Sequence, residues 1–259
     1  MTHHDVNKTL KFLQTLSILM ETADGNIRTL NDLTHDEKQK ISSAIIEYAT
    51  VKMNIEPQEI IQKLIINRYL LTNESAFELQ DANEFSQVLN ACGRTDNGSL
   101  GIAIAMGDRK QAFQQAKESL LNYKKSLSKA ILWLSEGERI KQMKNIQVFF
   151  GEDMISEKIV GTISSMLVLD DNPIIDKNKP LFGCALRKEE DVYKISGRAS
   201  EKLVDKGINL SEAIRRSLTL SKLDTLGGGH PPAAGTKIPS YKINEFLENL
   251  DKIVKEQIK

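Results

Sequence analysis

The spacing of apolar residues changes near residue 145, and this change constrains the fold more than any other feature. Before it, apolar side chains recur at intervals of three and four, as in Phe12, Leu16 and Leu19, which is typical of helices with one buried face. After it, the pattern predicts short strands alternating with helices. The predicted strands cover residues 146–150, 181–186 and 192–197, and the predicted helices cover residues 157–169, 210–218 and 242–258.

This change predicts an α+β fold. We expect a helical N-terminal domain over residues 1–107, a long connecting helix over residues 108–145 and a mixed-sheet α/β domain over residues 146–259. A chain of 259 residues accommodates two compact units at about 150 residues per domain. With 40% hydrophobic and 27% charged residues, the chain is not of the intrinsically disordered class.

Composition also narrows the cellular setting. The two cysteines, Cys92 and Cys184, lie far apart, which argues against a disulfide framework and favours a reducing compartment. No apolar run approaches the roughly 18 to 20 residues of a membrane span. The first residues lack a basic region, so no signal peptide is expected. These features predict a cytoplasmic protein that does not contact a membrane.

Three local signals mark helix boundaries in the first half. Thr34 and Glu37 form a capping box that predicts a helix to about residue 51. Pro57 suits the first turn of a helix over residues 57–69. Asp81 and Glu84 predict the start of a helix that would stop at Gly93, a residue able to adopt the left-handed conformation.

The segment over residues 109–144 is basic, with nine lysines and arginines against three glutamates. The whole chain is balanced at 35 basic and 35 acidic residues, so a polyanion would be attracted only by uneven placement of charge. The segment is either a solvated helix face or a stripe that faces phosphates.

The most specific stretch covers residues 226–235 and reads Leu-Gly-Gly-Gly-His-Pro-Pro-Ala-Ala-Gly. Because glycine and proline both disfavour the interior of a regular element, the stretch predicts a shaped loop. Its glycine amides could approach an anion closely, and His230 could donate to the same phosphate. The structural alternative is a tight turn packed under the closing helix.

This stretch resembles the glycine-rich signature of the DHH-associated domain, which lies at the C-terminus of RecJ-type exonucleases and related DHH phosphodiesterases. Residues 192–200 resemble the strand of that domain that carries a Ser-x-Arg pair, here Ser196 and Arg198. Residues 89–94 resemble the Asn-Ala-x-Gly-Arg segment of RecJ, which ends here at Arg94. The resemblance covers about residues 30–240 and implies a C-terminal domain of DHH-associated type.

The resemblance also implies a phosphate-binding groove between the two domains. On a strand, Ser196 and Arg198 share one face and can bind the same phosphate. Arg94 could instead compensate a helix dipole, and Arg198 could form a surface ion pair. The residues expected to bind nucleic acid are Arg94, Ser196, Arg198, Gly227, Gly228, Gly229 and His230.

RecJ enzymes hydrolyse phosphodiesters with two metal ions held by Asp and His residues, including an Asp-His-His motif. This chain has no such motif; its four histidines are His3 and His4 beside Asp5, His35 in the capping box and His230. We therefore expect no metal, no cofactor and no catalytic residue. Shortened archaeal RecJ homologues associate with the GINS complex, and they resemble in role the cell-division-cycle subunit of the CMG helicase.

The sequence is thus most consistent with a non-catalytic replication factor that binds single-stranded DNA and associates with GINS, and through it with the MCM helicase. A second hypothesis is a 5′-exonuclease, or one half of a split DHH phosphodiesterase whose metal domain another chain supplies. A third is a structural adaptor whose groove stays empty.

Overall fold

The computed structural model describes residues 6–22, 25, 27–169 and 173–258. His3, His4 and Asp5, and the first three residues of the turn predicted at residues 170–173, lie outside the described residues. The chain divides into two compact units, Met1–Leu70 and Leu71–Lys259. Both predicted boundaries, after residues 107 and 145, fall inside the second unit.

The first unit is helical. Its helices are α1 (Val6–Thr15), α2 (His35–Met53) and α3 (Pro57–Leu64). The predicted capping box is confirmed, because Glu37 N donates to Thr34 Oγ1 at 3.2 Å and Thr34 N donates to Glu37 Oε2 at 2.8 Å. Helix α3 is shorter than predicted, since the backbone at Ile65 is already extended.

Three helices begin the second unit, namely α4 (Ala82–Arg94), α5 (Gly98–Ala105) and α6 (Gln111–Ser135). Asp81 caps α4 as predicted, because its side chain accepts hydrogen bonds from the amides of Asn83 and Glu84. The prediction that Gly93 ends this helix is wrong. Gly93 lies inside α4, and the left-handed residue that follows the helix is Asp96, with φ 63°.

The connecting helix is also shorter than predicted. Helix α6 ends at Ser135, and Glu138 then adopts a left-handed φ of 48°, which no helix continues. Lys141 therefore lies on a strand and not on the helix. Of the basic residues that remain on α6, Lys117 pairs with Glu78 at 2.9 Å.

Six strands form one mixed sheet in the described part of the second unit. They are β1 (Ile140–Gln142), β2 (Gln147–Phe150), β3 (Leu181–Arg187), β4 (Val192–Arg198), β5 (Gly227–His230) and β6 (Ala233–Pro239). Their order is β1-β2-β3-β4-β6-β5. Strands β2 and β3 are parallel and are connected through helix α7 (Val160–Leu169), as parallel neighbours require, whereas the other neighbouring pairs are antiparallel.

Helices cover the two faces of this sheet unequally. On one face, α6 and α7 pack over β2 and β3 around Phe149, Leu181 and Ala185. On the other face, α8 (Glu201–Asp205), α9 (Leu210–Leu220) and α10 (Ile243–Gln257) enclose a larger core that contains Phe182 and Ile195. The predicted α+β class, with a helical N-terminal part and a mixed sheet, is confirmed.

Among the described residues, no helix combines the length and the apolar character needed to cross a bilayer.

Candidate functional site

An open groove of about 1010 Å³ lies beside α7, over the part of the sheet that α6 and α7 leave uncovered. Its floor is one face of β4 and β6. Successive side chains of a strand point to opposite faces, so alternate residues of each strand line the groove. These residues are Val192, Lys194, Ser196 and Arg198 on β4, and Ala233, Gly235, Lys237 and Pro239 on β6.

Arg198 is held in place by two hydrogen bonds. Its Nε donates to Ser165 Oγ at 2.7 Å, and its Nη1 donates to the carbonyl oxygen of Gly197 at 2.7 Å. The pKa of Arg198 lies below its usual value because burial penalises the charged form and because Arg94 adds a second positive charge. A guanidinium remains protonated under such shifts, so the groove contains a fixed cation.

Ser196 and Arg198 converge on the first turn of α7. A β-carbon built on Gly161 would lie 3.2 Å from Arg198 Nη2 and 3.4 Å from Ser196 Oγ. Gly161 and Thr162 both line the groove, and the first amides of a helix have no carbonyl partner within that helix. A hydroxyl, a guanidinium and a helix N-terminus therefore meet at one position, which is a favourable environment for a phosphate.

Arg94 reaches the same groove from α4. It lies in the last turn of that helix, as the alternative of a dipole-compensating cation requires, and it also lines the groove. Its Nη1 donates to the carbonyl oxygen of Lys158 at 2.8 Å, just before α7 begins. Lys158 in turn pairs with Asp96. These contacts tie the end of α4 to the start of α7.

The glycine stretch is not the predicted loop. Gly227–His230 is strand β5, at the edge of the sheet, and it pairs with β6 through a turn at Pro231 and Pro232. The glycines serve packing: a β-carbon on Gly227 would lie 2.7 Å from Ile214 Cγ2, and one on Gly229 would lie 2.3 Å from the carbonyl oxygen of Ala233. The stretch packs under α9 and not under the closing helix.

The structure brings some of the predicted site residues together and not others. Arg94, Ser196 and Arg198 share the groove, and Gly228 joins them. Gly227, Gly229 and the exposed His230 do not line it. Their proposed part in phosphate binding stays a prediction.

Sequence reasoning missed two lysines of the groove, Lys194 and Lys237. Lys194 could have been found, because it precedes Ser196 by two residues and so lies on the same face of the strand. Lys237 depends on the pairing of β4 with β6, which places it directly opposite Lys194. No local pattern signals that pairing or the proximity of Gly161.

The two carboxylates that line the groove, Glu157 and Glu190, are neutralised by one arginine. Arg187 Nε lies 3.1 Å from Glu157 Oε1, and Arg187 Nη1 lies 2.7 Å from Glu190 Oε1. With these acids engaged, the groove remains positive. Within the described part of the chain, no group of three or more His, Cys, Asp or Glu side chains could hold a metal ion.

Comparison with known proteins places this groove in a family. Residues 144–256 match the DHHA1 domain. An uncharacterized protein from Methanocaldococcus jannaschii is 31% identical over 252 residues, which cover 97% of this chain and 48% of that protein. The chain thus spans about half the length of this curated relative.

Two solved structures are also similar. RecJ from Thermus thermophilus, in complex with Mn²⁺, is 18% identical, with a TM-score of 0.47 over 68% of this chain and 24% of RecJ. CDC45 from Entamoeba histolytica is 11% identical, with a TM-score of 0.47 over 96% of this chain and 50% of that protein. In this chain, every groove residue except Arg94 lies within residues 144–256, and this part of the chain is a DHHA1 domain.

Proposed function

We propose that the groove of the DHHA1 domain binds the phosphate backbone of single-stranded nucleic acid. The observation that carries this proposal is the convergence of Ser196 Oγ and Arg198 Nη2 on Gly161, in the first turn of α7. Neutral hydroxyl, charged guanidinium and helix amides all favour an anion at that position.

The lining of the groove supports recognition of the backbone over recognition of bases. Four cations line it, namely Arg94, Lys194, Arg198 and Lys237, and the described lining contains no Phe, Tyr, Trp or His side chain. Stacking on aromatic rings is the usual way to hold unpaired bases. Contacts to phosphate carry no sequence information, so we expect binding that depends little on base sequence.

At a finer level, we propose that the chain is a RecJ-like member of the DHH group that acts in replication without catalysing hydrolysis, in association with GINS and the MCM helicase. The support is the resemblance of three motifs and the lack of an Asp-His-His motif in the sequence. The chain spans about half of its curated relative, so the activity of the whole protein is part of the proposal.

A sizing run of the purified chain with GINS subunits and a labelled single-stranded oligonucleotide tests the proposal. We expect the three components to elute together and the label to stay at full length when Mn²⁺ is added. The affinity for the oligonucleotide should fall steeply between about 50 and 200 mM salt, because each phosphate contact releases counterions.

Each other outcome would change the conclusion. Failure to bind the oligonucleotide at low salt would contradict the groove proposal, and separate elution of GINS would contradict the partner. Binding of GINS without the oligonucleotide would favour the adaptor hypothesis. Shortening of the label that depends on Mn²⁺ would favour an exonuclease instead.

The Gly161→Ala variant should bind the oligonucleotide about fivefold more weakly, because its methyl group would occupy the space between the α7 amides, Ser196 and Arg198. Its stability should be unchanged or slightly higher, since alanine is favoured over glycine inside a helix by roughly 0.5 to 1 kcal/mol. Fluorescence anisotropy and thermal melting of the same sample would measure both effects. Unchanged affinity in the folded variant would exclude Gly161 from the phosphate position.

A further inference from the structure

We propose that Lys194 and Lys237 form a second phosphate position in the groove, so that the ligand is an oligonucleotide whose backbone runs along β4. This inference rests on the proposed function of the groove. It extends that function from a single phosphate at Arg198 to a chain of at least two phosphates.

The register of the sheet places the two lysines side by side. Lys194 on β4 is directly opposite Lys237 on β6, and both side chains line the groove. Residues opposite each other in an antiparallel pair have β-carbons about 4.5 to 5.5 Å apart. The two ammonium groups can therefore reach one phosphate together.

The second position is separate from the first. Lys194 and Arg198 lie four residues apart on the same face of β4, a span of about 13 Å. A single phosphate cannot bridge this distance, whereas an oligonucleotide backbone can follow it. The row between them consists of the small residues Ser196, Gly235 and Gly228, paired across three strands, which leaves room for the chain to cross.

The charges around the two lysines are not balanced by the protein. Like charges directly opposite each other destabilise a sheet. The pKa of Lys194 is lowered mainly by burial and further by Arg94, Lys237 and Arg187, while Glu157 opposes this effect. Glu157 and Glu190 are both bound by Arg187. Neither lysine forms an ion pair within the part of the chain that the structure describes.

An anion between the two ammonium groups would remove this repulsion. The pairing of two unbalanced cations inside a groove that already contains a phosphate position is what identifies the ligand as a polyanion. The ribose and base are not constrained by these contacts, so the class of ligand is a single-stranded oligonucleotide of either sugar type.

The test compares the double variant Lys194→Gln/Lys237→Gln with a matched control, Lys252→Gln, on the exposed side of α10. Two probes are titrated, an oligothymidylate and thymidine monophosphate. We expect the double variant to bind the oligothymidylate about tenfold more weakly, with a salt slope smaller by about one, and to bind the monophosphate like the parent protein. The control should match the parent protein with both probes.

The outcomes separate this inference from the proposed function. If Arg198→Gln weakens oligothymidylate binding and the double variant does not, the second position is excluded and the proposed function stands. If the double variant weakens both probes equally, the lysines contribute only a general field and the second position is again excluded. If the parent protein binds neither probe, the proposed function itself fails. A melting temperature equal to or above that of the parent protein would show that the double variant is folded.

Discussion

The Arg198→Gln variant is expected to lose about 10- to 100-fold of its affinity for a single-stranded oligonucleotide. Hydrogen bonds that involve a charged group contribute about 1.5 to 3 kcal/mol, and each 1.4 kcal/mol is a factor of ten in binding. The effect should be large because Arg198 is already oriented by Ser165 and by the carbonyl of Gly197, so little entropy is lost when the ligand binds.

Anisotropy titrations at one fixed salt concentration would measure this loss. Arg215→Gln is a matched control, because Arg215 is an exposed arginine on α9, which packs against the opposite face of the sheet. The control should bind like the parent protein. Arg198→Lys should bind with intermediate affinity, since an ammonium keeps the charge and loses the planar fork. Equal affinity for Arg198→Gln and the parent protein would show that phosphate does not contact this residue.

The Gly183→Ala variant should lower the melting temperature of the second unit by about 4 to 8 °C. Gly183 lies on β3, under α7, where an added β-carbon would lie 2.4 Å from Phe149 Cζ and 2.7 Å from both Ser164 Oγ and Val160 Cγ2. All three neighbours belong to buried residues, so none can move aside into solvent. Overpacking of this kind costs about 1 to 3 kcal/mol, and about 2 kcal/mol corresponds to that drop for a unit of this size.

Gly93→Ala is the matched control, with an expected effect of opposite sign. Gly93 lies inside α4, and a β-carbon there would meet no atom within 4 Å. Alanine should therefore stabilise the protein by roughly 0.5 to 1 kcal/mol. Calorimetry of both variants would measure the two shifts. A Gly183→Ala variant that melts like the parent protein would mean that α7 packs less tightly on β3 than described.

Gly183 also connects stability to the groove. Helix α7 packs on Gly183 through Val160 and presents Gly161 to Ser196 and Arg198 through the next residue. A shift of α7 away from β3 would therefore move the first turn of the helix relative to both polar side chains. We expect Gly183→Ala to weaken oligonucleotide binding as well, whereas Gly93→Ala should leave the contacts between α7 and β4 unchanged.

Much of the architecture was predictable because it depends on interactions between residues close in sequence. The capping box at Thr34 needs only a hydroxyl and a carboxylate three residues apart. The Ser-x-Arg pair needs only the period of two along a strand, which places Ser196 and Arg198 on one face of β4. The change from helical to strand spacing likewise predicted the α+β class from local patterns.

The errors arose where distant contacts decide the conformation. Gly93 could end a helix in isolation, but the chain continues through it and turns at Asp96. The glycine stretch was predicted as a loop because glycine disfavours strands, yet Gly227 meets Ile214 and Leu218 of α9 so closely that a side chain would not fit. Close packing against another element selected glycine there, and sequence alone does not distinguish that reason from an anion-binding loop.

The sequence by itself therefore determined the helices, most of the strands and three polar residues of the groove, because short-range spacing and capping specify them. Only the tertiary structure decided that α7 stops beside β4 and leaves one face of β4 and β6 open. It also decided that Lys237 lies opposite Lys194 and that Gly161 faces Ser196 and Arg198. These relations depend on strand order and on the packing of helices against the sheet, and both are set by contacts between residues far apart in the chain.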